Sequence, residues 1–395
     1  MDLRDSPGEA AFRAEARAFL ERHAPAEMPD YFDDQIDAET FVRHSTAWQK
    51  TLYEHGWAAI TWPREYGGRG LGPLEQIIWN QELTRAGLGD SLFLVAIGLA
   101  GPTIIAHGTD EQKRRFLDPM LQGEALWCQL FSEPGAGSDL AALATRAVRE
   151  GDDWVITGQK TWCSGGHHAD FGILLARSDP SVPKHAGITY FLLDMHAPGV
   201  EVRPMRDMAG GAHFNEVFLN EVRVQDASRL GAVAGGWQVA MTTLMNERMA
   251  MGGFERLFSF EELIEHAGAN RERLDAATRD ELARLYTWVR TLELLNARVV
   301  TKLGRGEMPM AESSVMKLAV ARIVTKVAEL GMRLLGPEAL GRRGPWQNRF
   351  LGAPAIHIAG GTDEIQKTVA AERVLGLPRE PRADRDLPFE QLPRS

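Results

Sequence analysis

The sequence predicts an α+β fold in which a helical region, a β-rich region and a second helical region follow one another along the chain. Three observations carry this. Phe12, Ala16, Phe19 and Leu20 recur at the spacing of one helix face near the start. From about 126 to 232 the texture changes to short β-type runs at 154–157, 173–176, 190–193 and 216–219, punctuated by Gly, Pro and Asp. That pattern suggests a small barrel or sandwich. From about 236 the helical period returns: Val315, Leu318, Ala319, Ile323, Val327, Leu330 and Leu334 form a stripe suited to the core of a helix bundle.

The individual elements follow. In the first region, Thr109 with Gln112 three positions later is a capping-box signal ahead of Phe116 and Leu117. Residues 62–68, WPREYGG, read as a turn-rich break between helices. The expected divisions are 1–125 for the N-terminal helical domain, 126–232 for the β-domain, 233–380 for the C-terminal helices and 381–395 for a tail. The tail is rich in Pro and Arg and reads as a surface extension.

Composition narrows the class. The chain has 395 residues, 44% of them apolar and 25% charged, which is ordinary globular composition. The formal charge of −10 disfavours bulk binding to nucleic acid or to an anionic membrane. Cys128 and Cys163 give neither a disulfide framework nor a CxxC pair. The first residues lack the apolar stretch of a signal peptide, and no run approaches the roughly 18 apolar residues of a membrane span. A bacterial cytoplasm, or an organelle matrix, is the expected compartment. His167-His168 has no second cluster at metal-ligand spacing, so no metal is expected. His107 reads as a helix-end residue.

Two stretches carry chemistry. Residues 130–139, LFSEPGAGSD, place two serines and two glycines in a loop whose backbone N–H groups and hydroxyls can face a ligand. From the residues alone an ordinary Gly/Ser turn is the simpler reading, since such loops are common. Residues 158–166, GQKTWCSGG, put a tryptophan beside a serine and glycines just after a strand. The ring could stack on a planar cofactor; by itself, a barrel-core tryptophan is the simpler reading.

Together, and with IAGGTDEIQ at 358–366, these stretches resemble the acyl-CoA dehydrogenase family. SEPGAGSD is similar to that family's T/S-E-P-x-A-G-S-D loop, GQKTWCSGG to its G-x-K-x-W-I-T/S-N-G turn, and GTDEIQ to its G-T-x-E-I-Q stretch. The resemblance extends to about Leu377. It implies an N-terminal helical domain, a middle β-barrel and a C-terminal four-helix bundle, with FAD between the last two. It places Leu130, Phe131, Ser132, Gly137 and Ser138 at the flavin, with Ser138 also at the substrate. Trp162 would lie beside the isoalloxazine and Ser164 near flavin N5. Gly361, Thr362 and Glu364 would line the ribityl or ADP part. The implied reaction puts an α,β double bond into an acyl-CoA thioester: a base takes the α-proton and flavin N5 takes the β-hydride. An α-proton beside a thioester is weakly acidic, so the carbonyl must be polarised and the base desolvated. Electron-transfer flavoprotein is the implied acceptor.

Many members carry the base as a glutamate immediately before the C-terminal G-T. Here Gly360 occupies that place. A smaller group, resembling the isovaleryl-CoA and long-chain enzymes, carries it on the first helix after the barrel, before an arginine, where this chain reads Met245-Asn246-Glu247-Arg248. A bare Glu-Arg pair is usually a solvated helix pair. The resemblance together with Gly360 favours Glu247 as the base, Arg248 near the substrate supporting the carboxylate, and the Gly360 N–H on the thioester oxygen.

Two departures concern the FAD pyrophosphate. The R-x-x-F-G of many members is absent from residues 270–278, and their Q-x-x-G-G reads RLLGP at 333–337. This resembles the catalytic subunits of heterotetrameric bacterial enzymes acting on sterol side-chain or dicarboxylic acyl-CoAs, and implies an α2β2 assembly with a second dehydrogenase-like chain. A homodimer or homotetramer with a phosphate contact from Arg271, Arg273 or Arg333 is the other expectation. The competing functions are an oxygen-using flavin enzyme of the same fold, a non-catalytic partner subunit poor in FAD, and a plain CoA-binding protein; Glu247 beside Arg248 argues against the non-catalytic subunit.

Overall fold

In a computed structural model the chain is described at residues 5–26, 28, 38–88, 92–250, 260–307, 310–341, 344–381, 384 and 386–392. Its helices and strands run α1 (Pro7–His23), α2 (Ala38–Glu54), α3 (Pro73–Arg85), α4 (Gly101–His107), α5 (Asp110–Gln122), β1 (Trp127–Leu130), β2 (Arg146–Glu150), β3 (Asp153–Lys160), β4 (Phe171–Arg177), β5 (Ile188–Asp194), β6 (Val200–Met205), β7 (Phe214–Gln225), β8 (Arg229–Leu230) and α6 (Gly236–Ala250). They continue as α7 (Phe260–Ala269), α8 (Ala276–Gly304), α9 (Met310–Leu335), α10 (Pro345–Ile356) and α11 (Asp363–Val369). The α+β order expected from the sequence is present. Contacts divide the chain into two units: a sheet unit of residues 22–72, 90–250 and 381–395, and a helical unit of residues 1–21, 73–89 and 251–380.

The sheet unit is built on one eight-stranded sheet of order β6-β7-β3-β2-β4-β5-β8, with β1 pairing β4 in parallel. Both faces of β4 and β5 are buried, which is why these strands read as unbroken apolar runs. Leu174, Ala176, Phe191 and Leu193 meet the inner residues of β3 and β7 in one cluster. Ile173, Leu175, Tyr190 and Leu192 pack instead with residues of α4, α5 and α6. The capping box holds: Gln112 N donates to Thr109 Oγ1 at 3.2 Å while Thr109 N donates to Gln112 Oε1 at 3.0 Å. Between β3 and β7 the register shifts at residues 156–158, the kind of bulge that re-aims the residues after it. Gly158 sits there because a Cβ would lie 2.4 Å from the Thr145 hydroxyl.

In the helical unit, Phe12, Ala16, Phe19 and Leu20 are all buried, as their spacing requires. Arg13 and Arg17 of α1 both donate to the buried Glu82 of α3. Around α9, the residues Leu263, Leu285, Ile323, Val327, Leu330 and Leu334 share one core. The expected α9 stripe fails at its first member: Val315 is exposed. The first turns of α9 face inward with polar groups, Glu312 pairing with Lys302 and Lys317 with Asp363. Paired charges replace the apolar stripe there. Among the described residues no helix is long and apolar enough to cross a membrane.

Candidate active site

The first motif is anchored from below. β1 ends at Leu130, paired in parallel with β4, and the side chains of Leu130 and Phe131 are in the core. Glu133 and Ala136 exchange backbone hydrogen bonds of 3.0 Å, closing a tight turn. The Glu133 carboxylate accepts from Ala144 N at 2.6 Å and Thr145 N at 2.9 Å, and pairs with Lys160 Nζ at 2.7 Å. Lys160 also donates to Phe131 O at 3.1 Å, and Thr161 N donates to Ser132 O at 2.9 Å. A buried ion pair thus joins the two motifs. Burial pushes the Glu133 carboxyl up, but the charge and hydrogen bond of Lys160 outweigh it and hold it below its ordinary value. For Lys160, burial draws the ammonium down, with Glu133 opposing. The pair is charged, because three donors converge on the carboxylate. Both residues lie in the two sequence motifs, which give no sign of this role beyond an acid in one and a base in the other.

At the end of β3, Trp162 overturns the core reading. It is 59% exposed and adopts a left-handed φ of 61°, with its ring edge-on to Phe214 at 5.6 Å. A bulky residue at positive φ is strained and is held there by its surroundings. The hold is visible: Cys163 N donates to Asn215 O at 3.0 Å, Asn215 Nδ2 donates to Cys163 O at 2.9 Å, and Gly165 N donates to His213 O at 2.9 Å. His167 Nδ1 lies 3.0 Å from Asn215 Oδ1. Burial followed by the neighbouring His167 brings His168 down to about 4. Among the described residues no group of three His, Cys, Asp or Glu side chains is placed to hold a metal ion. The thiols of Cys128 and Cys163 are buried and free, and burial pushes Cys163 up to about 12.

Ser132 is half-buried, while Gly137, Ser138 and Ser164 are exposed. The hydroxyls of Ser132, Ser138 and Ser164 make no hydrogen bond to another described residue. An exposed aromatic plane with uncommitted hydroxyls around it is a donor set that fits a flavin.

Glu247 is half-buried on α6. One turn before it, the buried Thr243 hydroxyl lies 3.1 Å from the Tyr190 hydroxyl and 3.0 Å from that of Thr103, seating the helix on β5 and α4. His107, the last residue of α4 as expected, reaches Thr242 Oγ1 at 2.8 Å. Arg248 belongs to α6, but its side chain lies outside the described residues.

In the helical unit, Gly360 and Gly361 are consecutive left-handed residues at φ 63° and 87°, where a side chain would be strained. Gln366 Nε2 donates to Gly360 O at 2.9 Å, and Thr362 caps α11 by accepting from Ile365 N at 3.3 Å. Asp363 accepts from Lys317 at 3.1 Å and lies 2.7 Å from His357 Nδ1. Glu364 is exposed and close to Lys367 at 3.7 Å. Two of the three arginines expected at a phosphate are used internally. Arg273 donates to Leu334 O at 2.7 Å and to Asn270 at 3.1 Å, and Arg333 pairs with Glu281 at 3.0 Å. Among the described residues Arg271 has no such partner.

The fold and its motif loops define a flavin-type oxidoreductase scaffold. Family models for the N-terminal, middle and C-terminal domains of acyl-CoA dehydrogenase match residues 6–124, 128–222 and 234–375. The chain belongs to the acyl-CoA dehydrogenase family, enzymes of FAD-dependent oxidation acting on acyl-CoA. It is 47% identical to acyl-CoA dehydrogenase FadE34 of Mycobacterium tuberculosis over 84% of its own length but only 46% of that relative's. The chain therefore spans about half of that protein. It is 38% identical to acyl-CoA dehydrogenase IpdE1 of the same organism, over 85% of this chain and 88% of the relative. Among solved structures it is similar to the Tcur3481-Tcur3483 steroid ACAD, with a TM-score of 0.81 and 30% identity over 96% of this chain and 100% of that one. It is also similar to the ChsE4-ChsE5 complex of Mycobacterium tuberculosis, with a TM-score of 0.78 and 31% identity over 96% and 100%.

Proposed function

We propose that the protein is an acyl-CoA dehydrogenase in which Glu247 removes the α-proton of an acyl-CoA thioester as an α,β double bond forms. The observation that carries this is a half-buried glutamate one turn beyond a hydroxyl network that locks its helix, in the same unit as both flavin-type motifs. Partial burial strips water from the carboxylate, which a base acting on a weak carbon acid needs. The other expected place for a base is Gly360, which has no side chain and is left with an N–H for the thioester oxygen. Ser132, Ser138, Trp162 and Ser164, with Gly361, Thr362 and Glu364, are the residues proposed to hold FAD. FAD, when bound, supplies acceptance of the β-hydride. Arg248 and Ser138 are proposed on the substrate side. The three-part division at about 125, 232 and 380 belongs to the same reading.

The proposed assembly is α2β2 with a second dehydrogenase-like chain. Its supports are the internal use of Arg273 and Arg333, structural neighbours named as two-component assemblies and a relative about twice the matched length. The neighbour named as a steroid ACAD favours a steroid-derived acyl-CoA substrate, and electron-transfer flavoprotein is the proposed acceptor.

The test is anaerobic titration of the purified protein, alone and with the second chain, using straight-chain and steroid side-chain acyl-CoAs. The wild type should bleach its flavin band. Glu247→Gln should keep the flavin and bleach about 100- to 10,000-fold more slowly, the usual weight of a positioned base. A Glu247→Gln protein that bleaches at the wild-type rate sinks the assignment. Full flavin occupancy in a stable homo-oligomer of this chain sinks the α2β2 reading.

A further inference from the structure

The segment expected as a surface extension is fastened. Phe389 N donates to Val182 O at 2.9 Å, Glu390 N donates to Pro180 O at 3.0 Å, and Pro388 bridges Pro183. All three partners lie in the loop between β4 and β5. Arg177, at the end of β4, lays its guanidinium 3.8 Å from the centre of the Phe389 ring. The same guanidinium donates to Ala141 O at 2.6 Å, Leu143 O at 3.1 Å and Lys184 O at 2.7 Å. Lys184, only 8% exposed, reaches Asp384 at 3.2 Å on one side and Asp139 at 2.7 Å on the other. Asp139 closes the SEPGAGSD loop. The next residue, His185, packs edge-on against Trp237 at the start of α6, at 4.9 Å.

We infer that Asp384 and residues 386–392 form a strap that positions the Ser138-Asp139 end of the motif loop and the start of α6, acting through the β4–β5 loop. The inference rests on the proposed function only in giving those two elements their role. Neither core cluster of the sheet unit contains a tail residue, so loosening the strap leaves the fold's apolar core intact. It removes the cation–π cover from Arg177 and one of the two carboxylates on Lys184. Lys184, Asp384 and Phe389 are positioning residues; none is proposed to touch substrate or cofactor.

The experiment compares the wild-type holoprotein with Asp384→Asn/Phe389→Ala and with Lys184→Met and Lys184→Arg. Amide hydrogen exchange is followed at 137–143 and 178–187, against 153–160 and 188–194 as internal controls. The double variant and Lys184→Met should exchange about ten-fold faster in the first two stretches, the scale of losing one partly desolvated cation–π or charge-assisted contact. The controls should not change, and Lys184→Arg should restore most of the protection. KM for the acyl-CoA should rise with kcat nearly unchanged. Unaltered exchange at 137–143 overturns the strap, and so does faster exchange spread equally over the control strands. Because exchange is read without turnover, a wild type that bleaches with no acyl-CoA would sink the proposed reaction and leave the strap to be judged by exchange alone.

Discussion

The loop at 132–139 and the loop at 357–366 carry the two sets of proposed flavin contacts, and the chain holds them by opposite means. The first rests on a buried carboxylate that accepts two backbone N–H groups and an ammonium, so its shape is over-determined from within. The second is nearer the surface. It turns on two left-handed glycines and a half-buried Asp363 shared by Lys317 and His357. Where the first loop leaves its hydroxyls uncommitted, the arginines nearest in sequence to the altered phosphate motifs are committed to Leu334 and Glu281. The proposed two-chain assembly accords with this difference, since two of the three arginines near the second set are already engaged.

The sharpest way to break the comparison is Lys160→Met. It strands the Glu133 carboxylate in the core, and breaking a buried pair from one side costs about 3–5 kcal/mol. Urea unfolding should show that loss together with loss of flavin. A cost below about 1 kcal/mol would mean that the first loop is not held by the pair. Next in size is a contrast at Trp162. Alanine there keeps the strained left-handed backbone, whereas glycine relieves it, so Trp162→Gly should be more stable than Trp162→Ala by about 1–2 kcal/mol. Both should lose flavin affinity alike; equal stability of the two would show that Trp162 stores no strain. The second loop should respond more mildly. Thr362→Ala removes the cap of α11 and should cost about 1 kcal/mol by thermal unfolding, with no effect on exchange at 132–139.

How far these features could be read in advance depends on what each residue does. The three-part texture, the capping box, the α1 face and the doubly buried β4 and β5 were legible because burial imposes a period or a continuous apolar run. The motif loops were legible as loops. Trp162 was ambiguous, since a tryptophan after a strand is usually core, and only the bulge at 156–158 and the Asn215 bracket turn it outward. Val315 misled because its period is right while Glu312 and Lys317 take the inward positions through ion pairs that composition does not reveal. The strap was illegible for a similar reason: Pro388 and Phe389 find partners some 200 residues earlier, at a loop with no pattern of its own.

The smallest effect sits in the turn after Trp162 and tests whether the rigidity of the first loop extends past that residue. His168 titrates at about 4, against 6.5 for an ordinary histidine, because burial and then the His167 ring disfavour its cation. Between those values the unfolded chain binds a proton that the folded chain refuses. Stability therefore rises with pH across that window, is fully present above about 6.5, and is lost as pH falls toward 4. His168→Gln should flatten the urea midpoint across that range by up to one proton's worth of slope, and by less where solvent reaches the half-buried ring. Trp162 fluorescence should follow the same midpoint if the turn from 162 to 168 opens as a unit with the sheet. If the fluorescence changes first, the His167–Asn215 bond is an independent latch, and the exposed tryptophan is held less firmly than the buried ion pair behind it.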